Sequence, residues 1–151
     1  MACSTVRDLF DRIRRLHQEV ADFAQRMGGQ VAGERVHLVL AYLAKHEQHM
    51  AAAIADYEHG AAQRLLDTSF ANLTTMDVDR ICAELSLSTE TTSDDIIRLA
   101  VSVDNGLSEL YREAMEKAPS EDVRQLFQTL HANNERETRR MVRDMVEVVD
   151  F

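Results

Sequence analysis

Residues 35–58 read RVHLVLAYLAKHEQHMAAAIADYE. Val36, Leu40, Leu43, Glu47, Met50, Ile54 and Tyr57 follow one another at a 4-3-4-3-4-3 spacing, which puts all seven on one face of a long helix. Every member is apolar or amphipathic except Glu47. A carboxylate midway along the face that must bury against its neighbours needs a proton, a hydrogen-bond partner, a cation or a metal. What shares the interior with Glu47 is therefore the question of function.

Upstream, Val6, Leu9, Ile13, Leu16, Val20, Phe23 and Met27 repeat at 3-4-3-4-3-4, with Ser4 or Thr5 as the cap and Gly28-Gly29 as the stop. A second stripe, Phe10, Ile13, His17, Val20 and Ala24, lies beside the first and carries His17 at its middle. The glycine pair makes a short turn, so helices near 5–27 and 31–59 form an antiparallel hairpin.

Downstream, residues 60–92 are rich in serine and threonine. Residues 61–66 prolong or restart a helix and 77–85 read as a short one. The segment is too long for a hairpin turn and reads as a crossover. Ser93 with Asp94 and Asp95 opens a third helix, near 93–117, whose stripe is Ile97, Ala100, Asp104, Leu107, Tyr111 and Ala114. Pro119 and then Ser120-Glu121-Asp122 make a turn and a capped start for a last helix, near 121–148. Its inner face reads Val123, Phe127, Leu130, Asn134, Glu137, Met141 and Met145.

The 151 residues suffice for one domain with a core, with no change of composition along them, so a single domain over 1–151 is expected. One proline and five glycines among abundant helix formers give an all-α expectation. A formal net charge of -9 gives no footprint for nucleic acid or an anionic membrane. No apolar run reaches the ~18 residues of a membrane span, and the first residues lack the apolar core of a signal peptide. Cys3 and Cys82 stand far apart and in no metal-binding spacing, which fits a reducing cytoplasm. Gly-rich phosphate loops, nucleophile elbows and HExxH patterns are absent, so hydrolase and nucleotide chemistry have no support.

The two halves superpose without a gap at an offset of 87 residues. Val20 falls on Leu107, Val36 on Val123, Leu40 on Phe127, Leu43 on Leu130 and Ile54 on Met141. The polar interruptions coincide too: His17 falls on Asp104, Glu47 on Asn134, and Met50 on Glu137. Heptad packing makes apolar positions match but does not make polar ones coincide, so the pattern points to a duplicated hairpin.

Two hairpins with a long crossover, Asp104 seven residues before Tyr111, and Leu40-x-x-Leu43-x-x-x-Glu47 resemble the rubrerythrin and ferritin-like superfamily over nearly the whole chain. The resemblance implies a ferritin-like four-helix bundle with an internal pseudo-twofold repeat. It also implies two metal atoms held by an inward Glu and a Glu-x-x-His pair from each half. Glu47 is retained outright and Asp104 is a shortened counterpart of the inward Glu. Elsewhere the residues differ: His17 stands at the first Glu, Met50 at the first motif His, Asn134 at the second motif Glu and Glu137 at its His.

Two readings follow. In one, the centre is a polar layer with no cofactor, His17 donating to Glu47 or Glu137 and Asn134 bridging Asp104, and the bundle serves as a structural or interaction module. In the other, His17, Glu47, Asp104 and Glu137, with Met50 and Asn134 as weaker donors, hold a divalent iron, manganese or zinc in a rearranged oxidoreductase or iron-handling centre. Three buried carboxylates and one imidazolium leave an excess of two negative charges, which protonation of the clustered acids relieves most simply. His46 and His49 flank the inner stripe and read as side-face residues; His37, His59 and His131 read as exposed. Leu9, Leu16 and Phe23 form an apolar stripe beyond the one carrying His17, which makes a homodimer the expected assembly. Whether the chain is an enzyme stays open at this stage.

Overall fold

The computed structural model describes residues 4–70, 73, 85 and 90–150. In chain order the elements are β1 (Ser4–Thr5), α1 (Val6–Met27), α2 (Glu34–Gly60), α3 (Gln63–Leu66), β2 (Ser69–Phe70), α4 (Ser93–Glu116) and α5 (Glu121–Asp150). The expected short helix over 77–85 falls, except for Leu85, outside the described residues.

Local chemistry sets the helix ends. Thr5 caps α1 and Thr92 caps α4, each in a reciprocal box with the acid three residues on, Asp8 and Asp95. Thr92, rather than Ser93, is thus the cap of α4. The Ser120 hydroxyl receives the Val123 N–H at 3.3 Å and does the same for α5. Helix α2 begins three residues later than the sequence suggests. Gly33 precedes it at φ 101°, a left-handed turn that glycine adopts without Cβ strain, and Val31 is buried ahead of it.

Cross-helix bonds fix the directions. His17 meets Glu47 and Arg14 meets Glu58, so α1 and α2 are antiparallel. Thr138 meets Asp104 and Asn134 meets Ser108, so α4 and α5 are antiparallel. The Tyr42 hydroxyl donates to Asp144 and the Asn133 amide to Tyr57, which sets α2 antiparallel to α5 and hence parallel to α4. The end of α2 and the start of α4 therefore lie at opposite ends of the bundle, and the intervening chain connects them across its length. That is the long crossover expected between two hairpins.

The inner stripes form the core. Ile96, rather than Ile97, is the fully buried residue at the start of α4, and Val103 joins it. One end of the bundle is closed by Phe10, Phe70, Tyr111 and Phe127; Phe70 meets Phe127 edge-on at 5.5 Å between centroids. Phe70 arrives there through a strand pair that the sequence reading lacks: Ser4 pairs with Phe70 and Thr5 with Ser69, antiparallel. Leu9, Leu16 and Phe23, expected to face a second copy, are buried by the chain's own packing. Among the described residues no helix is long and apolar enough to cross a membrane.

Candidate functional site

Five polar side chains are buried among the described residues: His17, Glu47, Asp104, Ser108 and Asn134. They lie near the middle of α1, α2, α4 and α5, where the four stripes carry their polar interruptions.

His17 and Glu47 are fully enclosed and bonded to each other, Nδ1 of the imidazole against Oε2 of the carboxylate. Burial pulls the imidazole pKa down, but the charge of Glu47, its hydrogen bond and the charge of Asp104 outweigh that and hold it above the ordinary histidine value. Nδ1–H donates to the glutamate oxygen, and that contact favours the protonated ring. Nε2 of His17 and Oε1 of Glu47 are buried and have no hydrogen-bond partner among the described residues.

Asp104 is pushed up to about 7, first by burial and then by the charge of Glu47, against the opposing pull of His17 and of the Thr138 hydrogen bond. Thr138 Oγ1 lies 2.9 Å from Asp104 Oδ2 and 2.8 Å from the Asn134 backbone carbonyl. Its single proton serves one of them at a time. It donates to an ionised Asp104, or it accepts from a protonated one and donates to the carbonyl, so the hydroxyl suits both forms. The Asn134 amide donates from Nδ2 to the Asp104 backbone oxygen at 3.1 Å and lies as close to the Ser108 hydroxyl. A backbone carbonyl only accepts, which fixes the amide orientation and leaves Oδ1 as a free acceptor. Ser108 in turn donates to Glu135 at 2.6 Å.

Of the residues singled out from the sequence, His17 and Glu47 are in direct contact, Asp104 is within electrostatic reach of both, and Asn134 bridges to Asp104 through its backbone. Glu137 and Met50 are half-buried. Both line a cavity of about 160 Å³ between α2 and α5. Among the described residues no group of three or more His, Cys, Asp or Glu side chains is arranged to hold a metal ion.

Ser108 and Thr138 escaped the sequence reading. The repeat could have found them, since at the 87-residue offset they fall on Ala21 and Ala51, hydroxyls over methyls at inner positions. On the flank, His46 stacks on Tyr42 with centroids 6.0 Å apart and is held below the usual histidine value by burial, while His49 is exposed. Tyr42 is pushed up to about 12 by burial and by Asp144, to which its hydroxyl donates at 3.0 Å. His37 and His59 are exposed as expected, but His131 is half-buried, with Nε2 enclosed.

No protein-family model matches the sequence, and no curated protein matches it. Among solved structures the chain is similar to a crystal structure from Thermotoga maritima described as a "putative ferritin-like diiron-carboxylate protein". The TM-score is 0.59 and the identity 17%, over 97% of this chain and 98% of that one. At this identity the likeness establishes the architecture: the fold is that of a ferritin-like four-helix bundle.

Proposed function

We propose that this chain is a divergent ferritin-like protein whose bundle centre no longer holds a two-metal carboxylate site and that it serves as a structural or interaction module. The observation that carries this reading is the His17–Glu47 bond. A two-metal centre draws on about six protein donors, with carboxylates bridging the metals. Here the one retained glutamate spends an oxygen on an imidazole. Asn134, at the position of a second motif glutamate, turns its N–H groups into the layer, and a donor N–H repels a cation. Met50 offers a thioether, a soft ligand poorly matched to ferrous iron. The donor set therefore does not fit the di-iron group.

One observation favours the second reading, a rearranged one- or two-metal centre: His17 Nε2 and Glu47 Oε1 are both buried with no partner among the described residues. Metal analysis of protein purified without chelator, followed by calorimetry with ferrous iron, manganese and zinc, separates the two. No stoichiometric metal and no saturable heat is the expected result. Near-stoichiometric metal that is lost in Glu47→Ala overturns it.

In this reading the module pairs as a homodimer through a surface other than the Leu9, Leu16 and Phe23 stripe. Leu38 and Val146 are the large apolar side chains that stand exposed among the described residues. Sedimentation that finds only a monomer-sized species at high protein concentration refutes the pairing.

A further inference from the structure

The cavity between α2 and α5 runs from a mouth at the exposed His49 and Arg136 to a buried floor at Ile54, Tyr111 and Asn134. Its volume, about 160 Å³, is that of a cavity that accommodates on the order of six non-hydrogen atoms. Apart from His49, the polar groups of the rim are spent on one another. Arg136 donates to Asn133 Oδ1, and the Asn133 amide donates to the Tyr57 hydroxyl.

The polar groups deeper in are not spent. The Glu137 carboxylate has no hydrogen bond or ion pair among the described residues, and the Tyr111 hydroxyl has no hydrogen bond there. Asn134 Oδ1 is left as an acceptor because its amide nitrogen is committed to the Asp104 backbone and Ser108. Burial, with the charge of Asp104 behind it, raises the Tyr111 pKa, so that hydroxyl stays neutral. A carboxylate, a neutral acceptor and a hydroxyl that accepts as readily as it donates thus belong to residues lining one cavity, and Glu137 also lines the neighbouring depression at Tyr42, His46 and Arg140. Between them stand the apolar walls of Ile54 and Met50 and the rings of Tyr57 and Tyr111.

That arrangement asks for a molecule that donates hydrogen bonds, carries positive charge and has a short apolar body. Aromatic faces and a carboxylate both attract an ammonium group, and the chain's net charge of -9 draws cations toward it. We propose that the cavity bounded by Met50, Tyr57, Tyr111, Asn134 and Glu137 is a binding site for a small primary alkylammonium ion. A bare metal ion would use the same acceptors but leave most of the apolar volume unfilled. The inference rests on the reading that Glu137 and Asn134 hold no metal.

The test uses the full chain carrying ¹³C-methyl methionine, with Met50 as reporter. Butylammonium is titrated against butan-1-ol, butyrate and zinc. Butylammonium is expected to shift the Met50 methyl resonance saturably, in the millimolar range, while butyrate and butanol do not. Glu137→Gln, at a half-buried position where it preserves shape, should weaken binding about tenfold, the worth of one hydrogen bond to a charged group. Ala53→Phe, which fills the cavity and leaves the charge in place, should abolish it. Butanol or butyrate binding as well as the amine, or an amine with no saturable effect on Met50, overturns the inference and leaves the metal-free reading standing. Zinc that binds at Glu137 and excludes the amine overturns both.

Discussion

In the first hairpin His17 and Glu47 meet side chain to side chain, with no water-exposed surface. In the second, Asp104 and Asn134 occupy the matching positions with the same 30-residue separation, yet the amide turns to the aspartate's backbone. The Asp104 carboxylate is left to Thr138, and the second hairpin carries two hydroxyls, Ser108 and Thr138, where the first has Ala21 and Ala51. The first pair is bonded side chain to side chain and leaves His17 Nε2 and Glu47 Oε1 without partners among the described residues. In the second half Thr138 bonds the acid and Ser108 accepts from the amide, and both hydroxyls stand at positions that in the other half are merely small.

The largest effect separating the halves should follow from breaking the ion pair. Glu47→Leu removes the charge and the bond that favour the protonated imidazole, leaves a buried neutral ring without its partner, and is expected to cost about 2–3 kcal/mol in denaturant unfolding. The double variant His17→Leu with Glu47→Leu should recover most of that, because two apolar side chains replace a buried pair that leaves His17 Nε2 and Glu47 Oε1 without partners among the described residues. A double variant no more stable than the single one would mean that the pair is held by something beyond its own bond.

The pH dependence comes next. The unfolded chain releases the Asp104 proton near 3.8 and the folded chain near 7, so across that window the folded state binds more protons and stability falls as pH rises. His17, held above 6.5 in the fold, acts with the same sign: its contribution is complete below 6.5 and is lost as pH climbs through the folded value. Each proton contributes a slope of up to about 1.4 kcal/mol per pH unit. Asp104→Asn should flatten the part of the curve between pH 4 and 7, measured as the unfolding midpoint against pH, and His17→Leu should not. Equal slopes in wild type and Asp104→Asn would remove Asp104 from the titration.

The hydroxyls give a smaller effect. Thr138→Val deprives Asp104 and the Asn134 carbonyl of their shared donor and should cost about 1–2 kcal/mol, with Ser108→Ala nearer 1. The smallest belongs to the outside of the first hairpin. Arg14→Ala removes a 3.3 Å bridge to Glu58 that is partly open to solvent, and it should stay within about 1 kcal/mol. A loss comparable to that of Glu47→Leu would show that charge in the first hairpin matters irrespective of burial.

The helices, their order, the crossover and the buried stations of His17, Glu47, Asp104 and Asn134 were all legible in the sequence, because a 3.5-residue period names the inner face directly. The period drifts by a fraction of a turn over several repeats, which is why it names Ile97 where Ile96 is buried. The strand pair was illegible because two residues carry no alternation to read. Ser108 and Thr138 were passed over because a hydroxyl on a helix flank looks the same in sequence whether it faces water or an acid. Glu137 lies on the inner stripe yet is only half-buried, since what covers it depends on how closely α2 and α5 approach, and spacing along one helix does not contain that distance. The cavity beside it was hidden for the same reason.

The strand pair bears on how the chain is made. Ser4 and Thr5 are tied to Ser69 and Phe70, and the Val6 N–H donates to the Thr68 carbonyl at 2.9 Å. The first hairpin is thereby fastened at both its ends before any residue of α4 or α5 is needed. On a ribosome, α1 and α2 can dock and be clasped while the second half is still being synthesised, with Phe70 held as a ready wall for Phe127. Slow hydrogen exchange at the Val6 amide, measured on stalled chains of increasing length, would mark the moment the clasp closes.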